Sequence, residues 1–148
     1  MGDISITRME ECHLLEASEL EKQSFSHPWS YKAFEDALKS ENYRYFVAVY
    51  EGHVVGMAGI IITCDYAELT NVAVSLEYRK MGIAYRLLEY IFEDAYKDDI
   101  QSFTLEVRCS NEPAIRLYEK AGFVNAGVRP GFYEDPKEDA YILWKNGN

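Results

Sequence analysis

The chain is short of proline, cysteine and positive charge, and each shortage excludes something. Its four prolines are scattered and form no linker, and no repeat or low-complexity tract is present. Three cysteines, Cys12, Cys64 and Cys109, fit no zinc or redox spacing. They read as reduced packing thiols, and no metal site is expected. Lys and Arg number 15 against 25 Asp and Glu, a formal charge of -10. That balance argues against nucleic-acid binding. It suits a cationic partner such as an amine, and equally a solubilising acidic surface. No apolar run is long enough to span a membrane, so no membrane partner is expected. The N-terminus shows no signal-peptide pattern, which makes the cytoplasm the expected compartment. A G-x-G-x-x-G fingerprint and a Walker A loop are also missing.

What is present is apolar and aromatic. Apolar residues make up 48% of the 148 and aromatics 14%, which supports a packed core and argues against disorder. The length suits one domain over residues 1–148. Ile4 and Ile6 alternate with polar residues as in a half-buried strand. A helix is expected from about Glu10 to Ser24, anchored by Leu14, Leu15 and Leu20. Ser30 suits an N-cap for a helix to about Lys39, with Trp29 and Phe34 placed as a hydrophobic staple. Phe46–Tyr50 and Val54–Ile62 read as a hairpin around Glu51-Gly52, and Glu68–Val74 as a fourth strand. In Gly82–Tyr96 the residues Ile83, Leu87, Leu88, Ile91, Phe92 and Ala95 make one apolar helical face. Phe103–Val107 is a fifth strand. Pro113 opens and Gly122 closes another helix, and Phe123–Val128 and Ala140–Trp144 complete the pattern. This order predicts an α/β fold: a mixed sheet with helices on both faces.

The most informative stretch runs from Val72 to Tyr85. An apolar strand, Val72-Ala73-Val74, gives way to a loop carrying Arg79, Lys80 and Met81. A helix then opens at Gly82-Ile83-Ala84-Tyr85. Main-chain N–H groups at a helix start lack intrahelical partners, and with the helix dipole they form an anion site. A plain strand-to-helix turn, with Gly82 only relieving strain, would share this pattern. Arg86 reads as part of a solvated helix face.

The spacing Arg79-x-x-Gly82-x-Ala84 is similar to the (Q/R)-x-x-G-x-(G/A) loop of the GNAT N-acetyltransferase family, in which it holds the pyrophosphate of acetyl-coenzyme A. The unit from Leu105 to Phe123 contains L-E-V-R-C-S-N and then N-E-P-A-I-R-L-Y-E-K-A-G-F. It resembles the family's N-x-x-A-x-x-L-Y-x-x-x-G-F element. The L-E-V-R-x-S-N form is similar to the ribosomal-protein-alanine (RimI-like) branch. The likeness extends to the H-P-W segment at His27 and to the tyrosine-rich segment from about Gly127 to Tyr133, expected as a loop before the last strand. Met81 stands where the branch commonly has a second basic residue, and Ala84 where it often has glycine.

The resemblance implies a GNAT (acyl-coenzyme A N-acyltransferase) fold in which a bulge splays the fourth strand from the fifth. Acetyl-coenzyme A is then the expected cosubstrate, held by Val72, Ala73, Val74, Arg79, Lys80, Met81, Gly82, Ile83, Ala84, Tyr85, Asn111 and Tyr118. The implied activity is direct acetyl transfer to a protein N-terminal amine, that of an alanine-starting ribosomal protein. Glu106 is the implied base and Tyr118 the implied acid for the departing thiolate. On residue type alone, Glu106 could face solvent and Tyr118 could be a core-edge aromatic. Glu68 is a rival base or a strand-edge carboxylate. Phe132 and Tyr133 either wall the acceptor groove or pack on the sheet. His27 is expected to cap the Pro28 turn rather than line the groove. Cys109 has no nearby histidine to activate it and is not expected to carry an acyl group. Lysine side chains, a polyamine or an aminoglycoside are alternative acceptors, and an acyl-coenzyme A sensor is the alternative of another class. The oligomeric state is open.

Overall fold

The computed structural model describes residues 3–25 and 27–146. Seven strands, β1 (Ser5–Arg8), β2 (Tyr43–Tyr50), β3 (His53–Thr63), β4 (Tyr66–Val74), β5 (Ser102–Arg108), β6 (Val124–Glu134) and β7 (Lys137–Asn146), form one sheet in the order β1-β2-β3-β4-β5-β7-β6. The β4/β5 pair is parallel and the other pairs are antiparallel.

Side chains alternate between the two faces of a strand, and the core divides accordingly. Phe46, Ala58, Ile60 and Phe103 face α3 (Ile83–Tyr96) and α4 (Glu112–Lys120). Tyr45, Val47 and Met57 face α1 (Leu14–Ser24) and α2 (Tyr31–Leu38). The apolar face expected of α3 is the one buried. Ser30 caps α2 by accepting from the Ala33 N–H at 3.1 Å, and the Trp29 and Phe34 ring centroids stand 5.3 Å apart. Asn111 caps α4, Pro113 occupies its first turn, and Gly122 follows it at φ 104°.

Several boundaries differ from expectation. A 3-10 turn, Glu11–His13, precedes α1, stabilised by reciprocal capping between Glu10 and His13. Strand β2 begins at Tyr43 because the residues before Phe46 pair with Gly59–Ile61. Strand β6 continues to Glu134, so Phe132 and Tyr133 lie in a strand and not in a loop. The loop expectation rests on the resemblance of the Gly127–Tyr133 segment, which contains Pro130-Gly131. Here that dipeptide falls in a register shift between Arg129 and Tyr133, on an edge strand where an irregular ladder is tolerated.

One irregularity positions everything functional. Ala58 pairs with Val72, but Ile60, two residues on, pairs with Leu69, three residues back. Strand β4 therefore carries one extra residue at Thr70-Asn71. Its partnership with β5 consists of Tyr66–Ser102, Ala67–Phe103 and Glu68–Thr104, and then the strands part.

Candidate active site

The loop before α3 has the features of an anion cradle. Lys80 and Gly82 are both left-handed, at φ 66° and 79°, which turns the chain sharply into the helix. Gly82 is the N-cap and supplies no side-chain bond to the first-turn N–H groups of Ile83, Ala84 and Tyr85. A Cβ built at Gly82 would meet nothing within 4 Å, so the space in front of the helix is open. Arg79 donates from Nε to the Val74 carbonyl at 3.1 Å, which ties the loop to the end of β4. Val72, Ala73 and Val74 pair with Ala58, Met57 and Gly56 on one side, and their backbone has no β5 partner on the other. Arg86 is exposed but also tethered, donating to the Ile4 carbonyl at 3.0 Å and so joining α3 to the start of β1.

Asn111 uses its side-chain oxygen locally, accepting from the Ala114 N–H at 3.3 Å. Tyr118, on α4, packs edge-on against Phe123 with centroids 5.8 Å apart. Desolvation first, and the neighbouring Tyr133 second, push its phenol well above the usual tyrosine range. It stays protonated at neutral pH, as a proton donor must.

On the α1/α2 face, a cleft of about 480 Å³ is lined by Glu21, Glu68, Glu106, Arg108, Phe132 and Tyr133, among others. Glu68 is the last β4 residue paired to β5, opposite Thr104, and Glu106 lies two residues beyond Thr104 on the same face. Burial, then the charge and hydrogen bond of Glu106, raise the Glu68 carboxyl above the ordinary carboxylate range, while Arg129 opposes the shift. Glu106 accepts a bond from Arg129 Nη2 at 3.2 Å. Arg108 lies 4.3 Å from the Tyr133 ring centre and donates to the carbonyls of Asp135 and Pro136 and to Glu138. Tyr133 is thereby held against Phe132, with ring centroids 5.0 Å apart. The structure thus brings Glu68, Glu106, Phe132 and Tyr133 into one cleft. The Arg79–Tyr85 loop, Asn111 and Tyr118 are not among its lining residues.

One expectation needs correction. His27 lines the cleft, with Nε2 4.0 Å from the Asp135 carboxylate, because the Pro28 turn points it at the β6–β7 hairpin. Glu21, on α1, is a residue that sequence reasoning missed: it is 2% exposed. Its carboxylate accepts from Asn71 Nδ2 at 2.9 Å and from the Trp29 N–H at 3.0 Å. Asn71 in turn accepts from the buried Tyr45 hydroxyl at 2.9 Å. This network pins α1, the α1–α2 loop and the β4 bulge together. It left a trace in the sequence: Leu14, Ala17, Ser18 and Glu21 fall at i, i+3, i+4 and i+7, so Glu21 sits on the buried stripe. Desolvation raises its carboxyl above the usual range. Cys109 is half-buried and lines a separate cavity with Ile115 and Tyr141.

No helix among the described residues is long and apolar enough to cross a membrane. Among them there is also no group of three or more His, Cys, Asp or Glu side chains arranged to hold a metal ion.

Known proteins resemble this chain. A putative [ribosomal protein bS18]-alanine N-acetyltransferase of Bacillus subtilis is 37% identical over 85% of this chain and 84% of its own length. The [ribosomal protein bS18]-alanine N-acetyltransferase of Escherichia coli is 34% identical over 94% of this chain and 95% of its own. The crystal structure of the ribosomal-protein-S18-alanine N-acetyltransferase from Escherichia coli superposes with a TM-score of 0.89, covering 99% of this chain and 95% of that one at 32% identity. The profile of the Acetyltransferase (GNAT) family matches residues 13–123, which span both the loop before α3 and the β5–α4 unit. With the parted strands and the uncapped α3 N-terminus between those two motifs, the chain belongs to the acetyltransferase (GNAT) family.

Proposed function

We propose that this protein transfers acetyl from acetyl-coenzyme A to the N-terminal α-amine of a protein, an alanine-starting ribosomal protein of the bS18 kind. It would work in the cytoplasm, as one catalytic domain over residues 1–148. The carrying observation is the Glu68–Glu106 carboxylate pair in an open cleft, at the point where β4 leaves β5. The two named relatives, matched over most of their length, support the acceptor.

The residues present fit the donor. The open space at Gly82 and the unpartnered N–H groups of Ile83, Ala84 and Tyr85 suit a pyrophosphate. Arg79 and Lys80 add positive charge, Met81 adds none, and Ala84 is small enough for a close approach. The β5-facing backbone of Val72–Val74 offers bonds for an amide-bearing arm and an N–H for the acyl oxygen. Bound there, acetyl-coenzyme A supplies an activated acyl group. Asn111 orders the β5–α4 turn that borders the arm.

The chain's own residues handle the protons. Glu106 takes one from the acceptor ammonium, and Glu68 beside it keeps the cleft attractive to a cation. An α-amine has an ordinary pKa near ~8 against ~10.4 for lysine, so a carboxylate base has less to overcome. Tyr118, kept protonated by burial, holds the proton that the leaving thiolate needs. Phe132 and Tyr133 wall the acceptor path.

Coenzyme A release tests this with three acceptors: a lysine-free peptide starting with free alanine, the same peptide N-terminally blocked with a lysine added, and spermidine. Turnover on the first alone is expected. Turnover only on the second or third would overturn the acceptor. Silence on all three with coenzyme A bound would favour a sensor.

A further inference from the structure

Two arginines border the acceptor cleft, and they are held differently. Arg108 is locked by donation to two carbonyls and a carboxylate. Arg129 makes one hydrogen bond among the described residues, to Glu106 at 3.2 Å. Its side chain is 53% exposed while that of Glu106 is 17% exposed. The guanidinium also lies 5.5 Å from the Phe132 ring centre, a second resting place for a cation. Arg129 stands on the edge strand β6, paired with Ala140 as the last regular pair before the ladder to β7 shifts register.

We propose that Arg129 is the resident counter-ion of Glu106, holding the place of the acceptor's ammonium until that ammonium displaces it. The inference rests on the acceptor reading above only in needing a cationic amine. Glu106 must face the incoming ammonium to take its proton, and in this structure it faces a guanidinium. Two cations held side by side on one carboxylate repel. Exchange of one cation for the other keeps the floor's charge constant and avoids leaving Glu106 buried without a partner. The displaced guanidinium keeps its place over Phe132. Arg129 is a positioning and specificity residue: amines unable to compete for Glu106 meet an occupied base.

The test compares wild type with Arg129→Gln and Arg129→Lys on whichever amine of the three-acceptor set wild type acetylates. Removing a half-exposed competitor should lower the acceptor KM by on the order of two- to fivefold, the range that exposed ion pairs support. The effect on kcat should be smaller, and Lys should return KM toward the wild-type value. A raised KM, or a fall in kcat without a fall in KM, overturns the proposal. A reading independent of turnover is the ¹⁵N side-chain resonance of Arg129, assigned by its loss in Arg129→Gln. With coenzyme A present, added alaninamide should shift it in wild type and leave it in place in Glu106→Gln. No shift in wild type, or an equal shift in both, also overturns the proposal. Failure of all three amines would overturn the acceptor reading, and the resonance experiment would still decide the role of Arg129.

Discussion

At the scale of single residues, the sharpest expectation concerns Tyr118. Its phenol is pushed up by desolvation, and its ring is already packed against Phe123. Tyr118→Phe keeps the ring and removes the proton. The kcat for the alanine peptide should fall by about a hundredfold or more, with little change in KM for acetyl-coenzyme A. Steady-state kinetics on both substrates decide this, and an undiminished kcat would remove Tyr118 from the acid role. Glu106 and Tyr118 are proposed as site residues only because they sit inside contiguous motifs that resemble a family. Spacing alone left each with an ordinary alternative. Arg129, Asn71 and Tyr45 gave no such sign. Arg129 is 23 residues from Glu106, and Asn71 is 26 residues from Tyr45 and 50 from Glu21. Contacts of that kind exist only once the sheet and α1 have met.

Among elements, two glycines of β3 test how the β4 bulge is held. A Cβ at Gly59 would land on the Tyr45 ring, which is buried and held at its hydroxyl by Thr70 and Asn71. A Cβ at Gly56 would come within 3.2 Å of the Ile83 side chain, a milder crowding that a small rotation relieves. Overpacking of this sort costs roughly 1–3 kcal/mol. Gly59→Ala should sit at the upper end, Gly56→Ala near or below the lower, when urea unfolding midpoints are compared. Only Gly59→Ala should also raise the acceptor KM, because Tyr45 supports Asn71 and, through it, Glu21. Equal destabilisation by the two would mean that Tyr45 relaxes freely. Elements with strong periodicity or unambiguous caps, α2, α3 and α4, matched expectation closely. The far half of β6 did not, because the loop expected there rested on a resemblance. The segment becomes strand only through pairing with Lys137 and Glu138.

For the whole molecule, acidity acts on stability as well as on recognition. Glu21 is raised above its ordinary value of 4.5, so its ionisation weakens the folded state. The stability that comes from keeping it neutral is fully present below about 4.5 and is lost as pH rises through its folded pKa. Glu68 contributes with the same sign. Glu16 and Glu138 are lowered, so what they contribute is lost as pH falls through their folded values. Glu21→Gln removes the first contribution alone. The unfolding free energy of wild type minus that of Glu21→Gln should therefore decline as pH is raised from about 4.5 toward neutrality, as urea titrations would show. A difference that stays constant with pH would mean that the bonds from Asn71 and Trp29 fully offset the desolvation.

The three backbone pairs between β4 and β5 also have a mechanical meaning. They join a four-stranded panel, β1 to β4, to a three-stranded panel, β5 to β7, and the sheet is closed at one end of this seam and open at the other. An arm with amide groups lying in the open end would act as a removable eighth strand, stitching the panels along the length the protein leaves unsewn. The enzyme would then be stiffest while loaded. Amide exchange along Leu69–Val74 and Leu105–Arg108 should slow when coenzyme A is added, more than exchange across the β2/β3 ladder. Unloading would slacken the seam, and with it the carboxylate pair that stands where it opens.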